Sequence, residues 1–331
     1  MSEVPMVTGL RSRMDLRMGF ACNNNCRFCV VGDEKRRTRD MATADVKASI
    51  DAAKEGGVTT LVFTGGEPTI RKDLVELVAH AGGLGFRDII LISNGRMLSY
   101  SDYLRDLVRA GLTTVSMSLP SHRPKLYEHL TRSQGGWQQL MQAFDNVAEH
   151  PLTVCTITCI TKPAVGDLPD TTRFLIKQQE RFHRYFGELI FVHPAGNARA
   201  YWRDIVPRMS TASPLVHAAL DIAEEADILL NVEAIPLCHM QGYESHVIEL
   251  TMAPEWEMRE PGISGLDQNQ ARRERNKHKE PSCCSCRYDA VCEGPWAGYV
   301  DLFGFEEFRP VPGEPVTDPA TLLAVAPVGG A

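Results

Sequence analysis

The chain has 331 residues, 44% hydrophobic and 23% charged, with a net charge of -7, enough to bury a full core in one large domain with a smaller one beside it. That modest acidic balance gives no electrostatic footprint for nucleic acid or an anionic membrane, and the apolar runs are strand-length, too short to span a bilayer. The opening MSEVPMVTGLRSR lacks the apolar centre of a signal peptide, so the expectation is a cytoplasmic protein with no nucleic-acid and no membrane partner.

Residues 1–12 are expected to form an N-terminal extension. From residue 13 to about 236, strand-like runs alternate with amphipathic helical stretches. The strands read MDLRMGF, TLVFTGG, DIILISN, TVSMSLP, LTVCTITCI, ELIFVHP and ILLNVEAIP. The first helix, TADVKASIDAAKEGG, takes Thr43 as N-cap and Gly56 as stop. Five more follow, ending in PLVHAALDIAEEA. Repeated strand-then-helix order predicts parallel strands with right-handed crossovers, as an open barrel or an open sheet. Either form puts the ligand site at the carboxyl ends of the strands.

CNNNCRFC, with Cys22, Cys26 and Cys29, follows the first strand directly, and TGGEPT ends the second, so both lie on one rim. A structural zinc site needs four ligands, and Cx3Cx2C supplies three. An iron-sulfur cube held by three thiolates instead leaves one iron open to a non-protein ligand. Zinc-binding or solvent-facing thiols are the plainer alternative. On the fifth strand Cys155 and Cys159 lie two alternations apart and share one face, where buried cysteine usually serves as a small hydrophobe.

After residue 237 the periodicity fades. APEWEMREPGISGLDQNQARRERNKHKEP reads as a connector, partly helical around QNQARRERNKHK, whose basic run is expected to be a solvated helix face. Then come Cys283, Cys286 and Cys292 as Cx2Cx5C, with Cys284 beside the first. Residues 313–331 read as a mobile tail. A disulfide framework suits small secreted domains, so metal ligation is the better use of ten cysteines.

The Cx3CxΦC loop after the first strand, with Phe28 as Φ, and Gly65, Gly66, Glu67 and Pro68 after the second together resemble the radical S-adenosylmethionine superfamily. The resemblance implies an α/β fold: a partial (β/α)6 barrel over residues 13–236. In it Cys22, Cys26 and Cys29 hold a [4Fe-4S] cluster whose open iron binds the amino and carboxylate groups of S-adenosylmethionine. Glu67 would accept hydrogen bonds from the methionine amine, the two glycines would let backbone approach the ligand, and Phe28 would shield the site. The resemblance also brings Ser93, Asn94 and Ser118 to the rim as ribose or carboxylate contacts, and Gly196 as a backbone contact to adenine. Asn94-Gly95 also reads as plain turn chemistry.

The C-terminal cysteines resemble the SPASM extension, or its shortened Twitch form, over residues 237–312. The expected auxiliary cluster takes Cys238, Cys283, Cys286 and Cys292, with Cys284 the alternative to Cys283; zinc is the competing metal. No catalytic residue is assigned beyond the cluster, with Cys159 as a weak candidate for a hydrogen-atom donor. His122, His193 and His239 read as satisfied loop histidines, and Trp296 and Tyr299 as core. The function implied is reductive cleavage of S-adenosylmethionine to a 5'-deoxyadenosyl radical. That radical takes a hydrogen atom from a precursor peptide or a small metabolite such as a sugar or nucleotide. A flavodoxin or ferredoxin is the expected reductant. No peptide-recognition or cobalamin-binding domain is expected ahead of residue 13. The alternative is a non-catalytic iron-sulfur or zinc regulator sensing metal or redox state, which explains the cysteines but not TGGEPT.

Overall fold

The computed structural model describes residues 12–32 and 36–323. Seven strands stand where apolar alternation puts them: β1 (Ser12–Arg17), β2 (Thr60–Thr64), β3 (Asp88–Ser93), β4 (Thr114–Ser118), β5 (Thr153–Ile160), β6 (Arg184–Phe191) and β7 (Leu230–Glu233). Between them run α1 (Thr43–Glu55), α2 (Leu74–Gly83), α3 (Ser101–Arg109), α4 (Pro124–Thr131), α5 (Gly136–Ala148), α6 (Leu168–Gln179), α7 (Gly196–Ala200) and α8 (Met209–Glu225). Thr43 is not the N-cap of α1. Ala42 holds that place, and the Thr43 hydroxyl instead donates to Asp73 Oδ2 at 2.7 Å.

The polar stretch expected as a connector adds two further strands, β8 (Glu255–Glu260) and β9 (Ile263–Asp267), to the free edge of β1. The sheet order is β7-β6-β5-β4-β3-β2-β1-β8-β9. Every pair is parallel except the β8–β9 hairpin. Pro261-Gly262, with Gly262 at φ +80°, makes the turn between the last two.

Each parallel strand shows two unlike faces. In β3, Ile89 and Leu91 are buried against the helices, while Ile90 and Ile92 on the other face remain half-open. In β6, Gly187, Leu189 and Phe191 are buried, whereas Glu188 and Ile190 are not. The sheet curls so that the half-open faces look inward. β1 and β6 stand five places apart in the sheet order, yet the charges of Arg13 and Glu188 bear on each other. The result is a partial barrel with an open interior, helices outside, and all loops after the parallel strands on one rim.

The gap between β7 and β8 is spanned by a side chain. Arg272, at the start of a π-helical turn (Arg272–Asn276), donates to Glu233 of β7 at 2.6 Å, to Glu249 at 3.0 Å and to Glu293 at 3.1 Å. Its guanidinium also lies 6.0 Å from the Trp256 ring of β8 and 5.2 Å from that of Trp296. Lys277 sits 3.9 Å over Trp296. Arg272 and Lys277 are both 4% exposed, whereas Arg273, Arg275 and Lys279 are exposed, so the basic run is a solvated face only in part: two of its cations hold a buried carboxylate cluster.

The C-terminal region shares a core with the β6–β7 half of the barrel. Tyr288, Trp296, Tyr299, Phe308, Val311, Val316 and Leu322 belong to the same apolar cluster as Leu189, Phe191 and Val232. The Met209 backbone N–H donates to the Tyr299 hydroxyl at 2.8 Å. The tail expected to be mobile is packed as far as it is described, with Val316 bonded to the Arg287 carbonyl and both Val316 and Leu322 buried. The remainder of that tail, and nearly all of the expected N-terminal extension, lie outside the described residues.

Candidate active site

Cys22, Cys26 and Cys29 are free, half-buried thiols on the loop that leaves β1 at the rim. The loop is clamped from both sides. Asn25 and Arg27 donate backbone N–H bonds to Thr131 and Leu130 in the last turn of α4, at 3.2 and 2.8 Å. From the other side Asn197 Nδ2 donates to the Cys26 carbonyl at 2.9 Å, and the Ala198 N–H donates to the Cys29 carbonyl at 3.2 Å. Backbone N–H groups of Asn24 and Val31 reach the sulfurs of Cys22 and Cys29 at 3.3 and 3.4 Å. Burial, then Cys29 and Cys22, pushes the Cys26 thiol up. A thiolate forms there only against a bound cation.

The loop is ringed by buried donors that lack acceptors. Asn24 Nδ2, Arg36 Nε and the Tyr127 hydroxyl have no hydrogen-bond partner among the described residues. The Arg36 charge bears on Cys22 and Cys26, and Cys26 bears on Tyr127. An orphaned buried donor costs about 1–3 kcal/mol, so three around one loop fit an acceptor-rich group, such as the sulfides and thiolates of an iron-sulfur cluster. Among the described residues no three His, Cys, Asp or Glu side chains close on a single ion. A multi-iron cluster takes one thiolate per iron, whereas a structural zinc site needs four ligands on one ion.

The GGEP turn is built for the loop. Gly66 donates to the Gly19 carbonyl at 2.9 Å and Glu67 to the Ala21 carbonyl at 2.8 Å, which zips the turn to the segment leading into Cys22. A Cβ on Gly65 would lie 2.4 Å from the Gly19 oxygen, and one on Gly66 only 2.1 Å from the Ala21 oxygen. These glycines therefore permit the close approach of the cysteine-bearing chain. Glu67 is 3% exposed and caps the turn Pro68–Ile70, accepting from the Thr69 N–H and hydroxyl, from Ser93 Oγ at 2.8 Å and from the Asn94 N–H at 2.7 Å. Burial raises its carboxyl, opposed by those bonds. With Oε1 taken by three donors, only Oε2 keeps a lone pair for a ligand amine.

The other rim residues divide. Ser93 donates to Glu67 and accepts from the Gly95 N–H at 3.0 Å, which leaves its hydroxyl one free lone pair. Asn94 Nδ2 donates to Asn23 Oδ1 at 2.7 Å and lies 4.0 Å from the Cys22 sulfur, which ties β3 to the cysteine loop. Ser118 is half-buried at the end of β4 with no side-chain partner among the described residues. Phe28 is half-buried and packs on the β6–β7 core. Gly196, at φ +52°, would bring a Cβ within 2.4 Å of the Val30 oxygen, so it too receives the cysteine loop. Sequence reasoning missed Arg96, which donates to the Asn23 carbonyl at 2.7 Å and Asn24 Oδ1 at 3.0 Å, and Asn197. The only signal was their place just after rim turns.

Inside the barrel, β5 presents Cys155, Ile157 and Cys159. Cys155 is fully buried, while Cys159 is half-buried and sits nearest the loop, its thiol pushed up by burial and then by Cys29 and Glu233. His193 stacks on Trp296 at 4.1 Å; burial, then Lys277 and Arg272, lowers it to about 4, so it is neutral at physiological pH. His239 bonds to Ser213 and the Glu307 carbonyl, and His122 to Thr171.

A second thiol group lies beyond β7. Burial and then Cys292 push Cys238 up to about 12, with Cys286 and Cys283 adding. Gly294 and Val311 donate backbone N–H bonds to the sulfurs of Cys292 and Cys286 at 3.4 and 3.2 Å. Arg287, next to Cys286, has a buried Nε with no partner among the described residues. Cys284 is exposed, which leaves Cys283 as the inward thiol of the adjacent pair.

Residues 16–175 match the family model described as Radical SAM superfamily. A probable GTP 3',8-cyclase of Methanopyrus kandleri is 33% identical over 149 residues, covering 45% of this chain and 47% of the relative. One from Methanothermobacter thermautotrophicus is 35% identical over 124 residues, 37% of this chain and 40% of the relative. The chain thus spans less than half the length of these curated relatives. Among solved structures, Streptococcus suis SuiB bound to its precursor peptide SuiA superposes over 92% of this chain and 75% of that one, with a TM-score of 0.65 at 14% identity. A native anSMEcpe structure with bound AdoMet and Cp18Cys peptide covers 90% and 92%, with a TM-score of 0.61 at 12% identity. These structures share the fold, and the stretch that matches the radical SAM family model, residues 16–175, runs from β1 into α6.

Proposed function

We propose that this protein is an enzyme that reductively cleaves S-adenosylmethionine and uses the radical so formed to take a hydrogen atom from a substrate held inside the barrel. The family works with a [4Fe-4S] cluster and S-adenosylmethionine. When bound, the cluster supplies the electron that breaks the sulfonium bond and releases a 5'-deoxyadenosyl radical. Cys22, Cys26 and Cys29 would hold it, and the absent fourth thiol leaves an iron for the methionine amino and carboxylate groups. The observation that carries this reading is the set of three half-buried thiols with three acceptor-less buried donors around them, at the mouth of an open barrel interior.

The chain's own residues orient and enclose. Glu67 locks the GGEP turn to β3, Asn94 and Arg96 lock β3 to the cysteine loop, and Gly196, Asn197 and Ala198 lock the loop from the β6 side. Phe28 and the β6–β7 core keep water from that flank. A ferredoxin or flavodoxin is the reductant by class, and the substrate is a small molecule or a peptide. Cys238, Cys283, Cys286 and Cys292 would bind a second, fully ligated cluster in a Twitch-like region, Cys284 being turned to solvent. Among the described residues no helix is long and apolar enough to cross a membrane.

The test is anaerobic reconstitution with iron and sulfide, then dithionite and S-adenosylmethionine. Wild type is expected to form 5'-deoxyadenosine, and a Cys22, Cys26, Cys29 triple alanine variant none. That variant is expected to retain about four irons per chain. Near-zero iron would remove the second cluster, and no 5'-deoxyadenosine from a spectroscopically intact wild type would remove the function.

A further inference from the structure

The barrel interior has two unlike walls. One is apolar, from Ile90 and Ile92 of β3 and Ile157 of β5, all half-open to the interior. The other is charged, from β1, β6 and β7. On that wall Arg13 is committed to Asp15 through two hydrogen bonds, at 2.6 and 3.2 Å, and stacks 4.9 Å from the Trp256 ring. Arg17 is committed to Glu260 at 3.2 Å, and Glu233 to Arg272 at 2.6 Å. Glu188 has neither a hydrogen bond nor an ion pair to any described residue. It faces inward from β6, opposite Ile157 on one side and Asn231 on the other. It stands two residues before Ile190, the partner of Cys159 and Glu233, so it lies about 7 Å deeper than the layer that meets the cysteine loop.

Glu188 is half-buried and open to the interior, so its carboxylate, with every nearby cation already engaged, is left to pair with a cation that enters the barrel. We infer that Glu188 anchors a cationic nitrogen of the substrate, an ammonium or a guanidinium, beneath the cysteine loop, with the isoleucine wall taking an attached apolar part. This rests on the reading of the barrel interior as the substrate chamber. Glu188 and Glu233 both lie beyond the matched family domain, where a feature particular to this chain's substrate belongs.

The probes are n-butylguanidinium, n-butylammonium and n-butyrate, followed by saturation-transfer NMR on the reconstituted, oxidised holoenzyme. At least one cation is expected to bind wild type at millimolar concentration, about tenfold or more weakly to Glu188→Gln, and with intermediate affinity to Glu188→Asp; butyrate is expected not to bind. Iron content and thermal melting of both variants establish that they are folded and loaded. Equal cation binding by wild type and Glu188→Gln would overturn the inference, as would cations binding wild type no better than butyrate. The underlying reading is judged separately: a wild type that forms no 5'-deoxyadenosine loses the enzyme, whereas one that forms it without cation selectivity loses only the role of Glu188.

Discussion

At the scale of single residues, the site's chemistry lies in groups that lack a partner. Most buried polar atoms here are satisfied, as Glu67 shows with four donors. Four of the seven exceptions among the described residues gather where a ligand is expected, Asn24, Arg36 and Tyr127 around the first thiols and Arg287 beside Cys286; Thr161, Glu249 and Trp256 lie elsewhere. Glu188 has a stability consequence. Burial, then Glu233, raises its carboxyl to about 7 from the ordinary 4.5, with Arg13 opposing. Its contribution to stability is complete below pH 4.5 and is lost as pH rises through 7. Glu188→Gln removes that loss, so relative to wild type the variant should gain on the order of 2 kcal/mol between pH 5 and pH 8. Denaturant melts at the two pH values check it, and parallel pH curves would show that the carboxylate is not desolvated. The cysteine spacing and GGEP were legible in sequence because each is short and local. The use of the glycines was not, because it depends on Gly19 and Ala21 coming alongside across the β1–β2 pair.

At the scale of elements, the parallel strands were readable from apolar alternation, and the rim followed from their order. β8 was not, because EWEMRE carries its alternation on Trp256, Met258 and Glu260, and the last is buried through pairing with Arg17. Propensity cannot anticipate a strand that takes its partner from the far end of the chain. Pro261-Gly262 was the one local turn signal. The basic run misled for a related reason: Arg272 and Lys277 are buried by carboxylates and tryptophans remote in sequence. The turn after β2 makes the sharpest prediction at this scale. Gly66→Ala puts a methyl group against the Ala21 carbonyl, so the turn and the cysteine loop must part. It should destabilise by about 1–3 kcal/mol and lower the iron bound at Cys22, Cys26 and Cys29 by more than half. Iron analysis and a thermal melt read the two effects, and full iron loading would contradict the zipped geometry.

At the scale of the whole molecule, an open barrel is closed by its own C-terminal region. Arg272 joins β7, β8 and the segment carrying Cys292, so the same contact that completes the barrel wall also seats the second thiol group. Arg272→Met leaves Glu233, Glu249 and Glu293 with only Lys277 nearby and should cost about 3–5 kcal/mol. Because burial holds the Glu249 carboxyl above its usual range, the deficit should shrink as pH falls and the carboxylates protonate. Denaturant unfolding at pH 7 and pH 5 measures it, and a variant as stable as wild type at both would show that the clasp is incidental.

The central claim is that the place left by a fourth cysteine is where S-adenosylmethionine binds. Electron-nuclear double resonance on the reduced, reconstituted protein tests it most directly, using S-adenosylmethionine labelled with nitrogen-15 at the amine and oxygen-17 at the carboxylate. Hyperfine coupling of both labels to the cluster at Cys22, Cys26 and Cys29 is expected, and it should be retained in a Cys283, Cys286 double alanine variant. An intact, reduced cluster at the first site with no coupling to either label would contradict it.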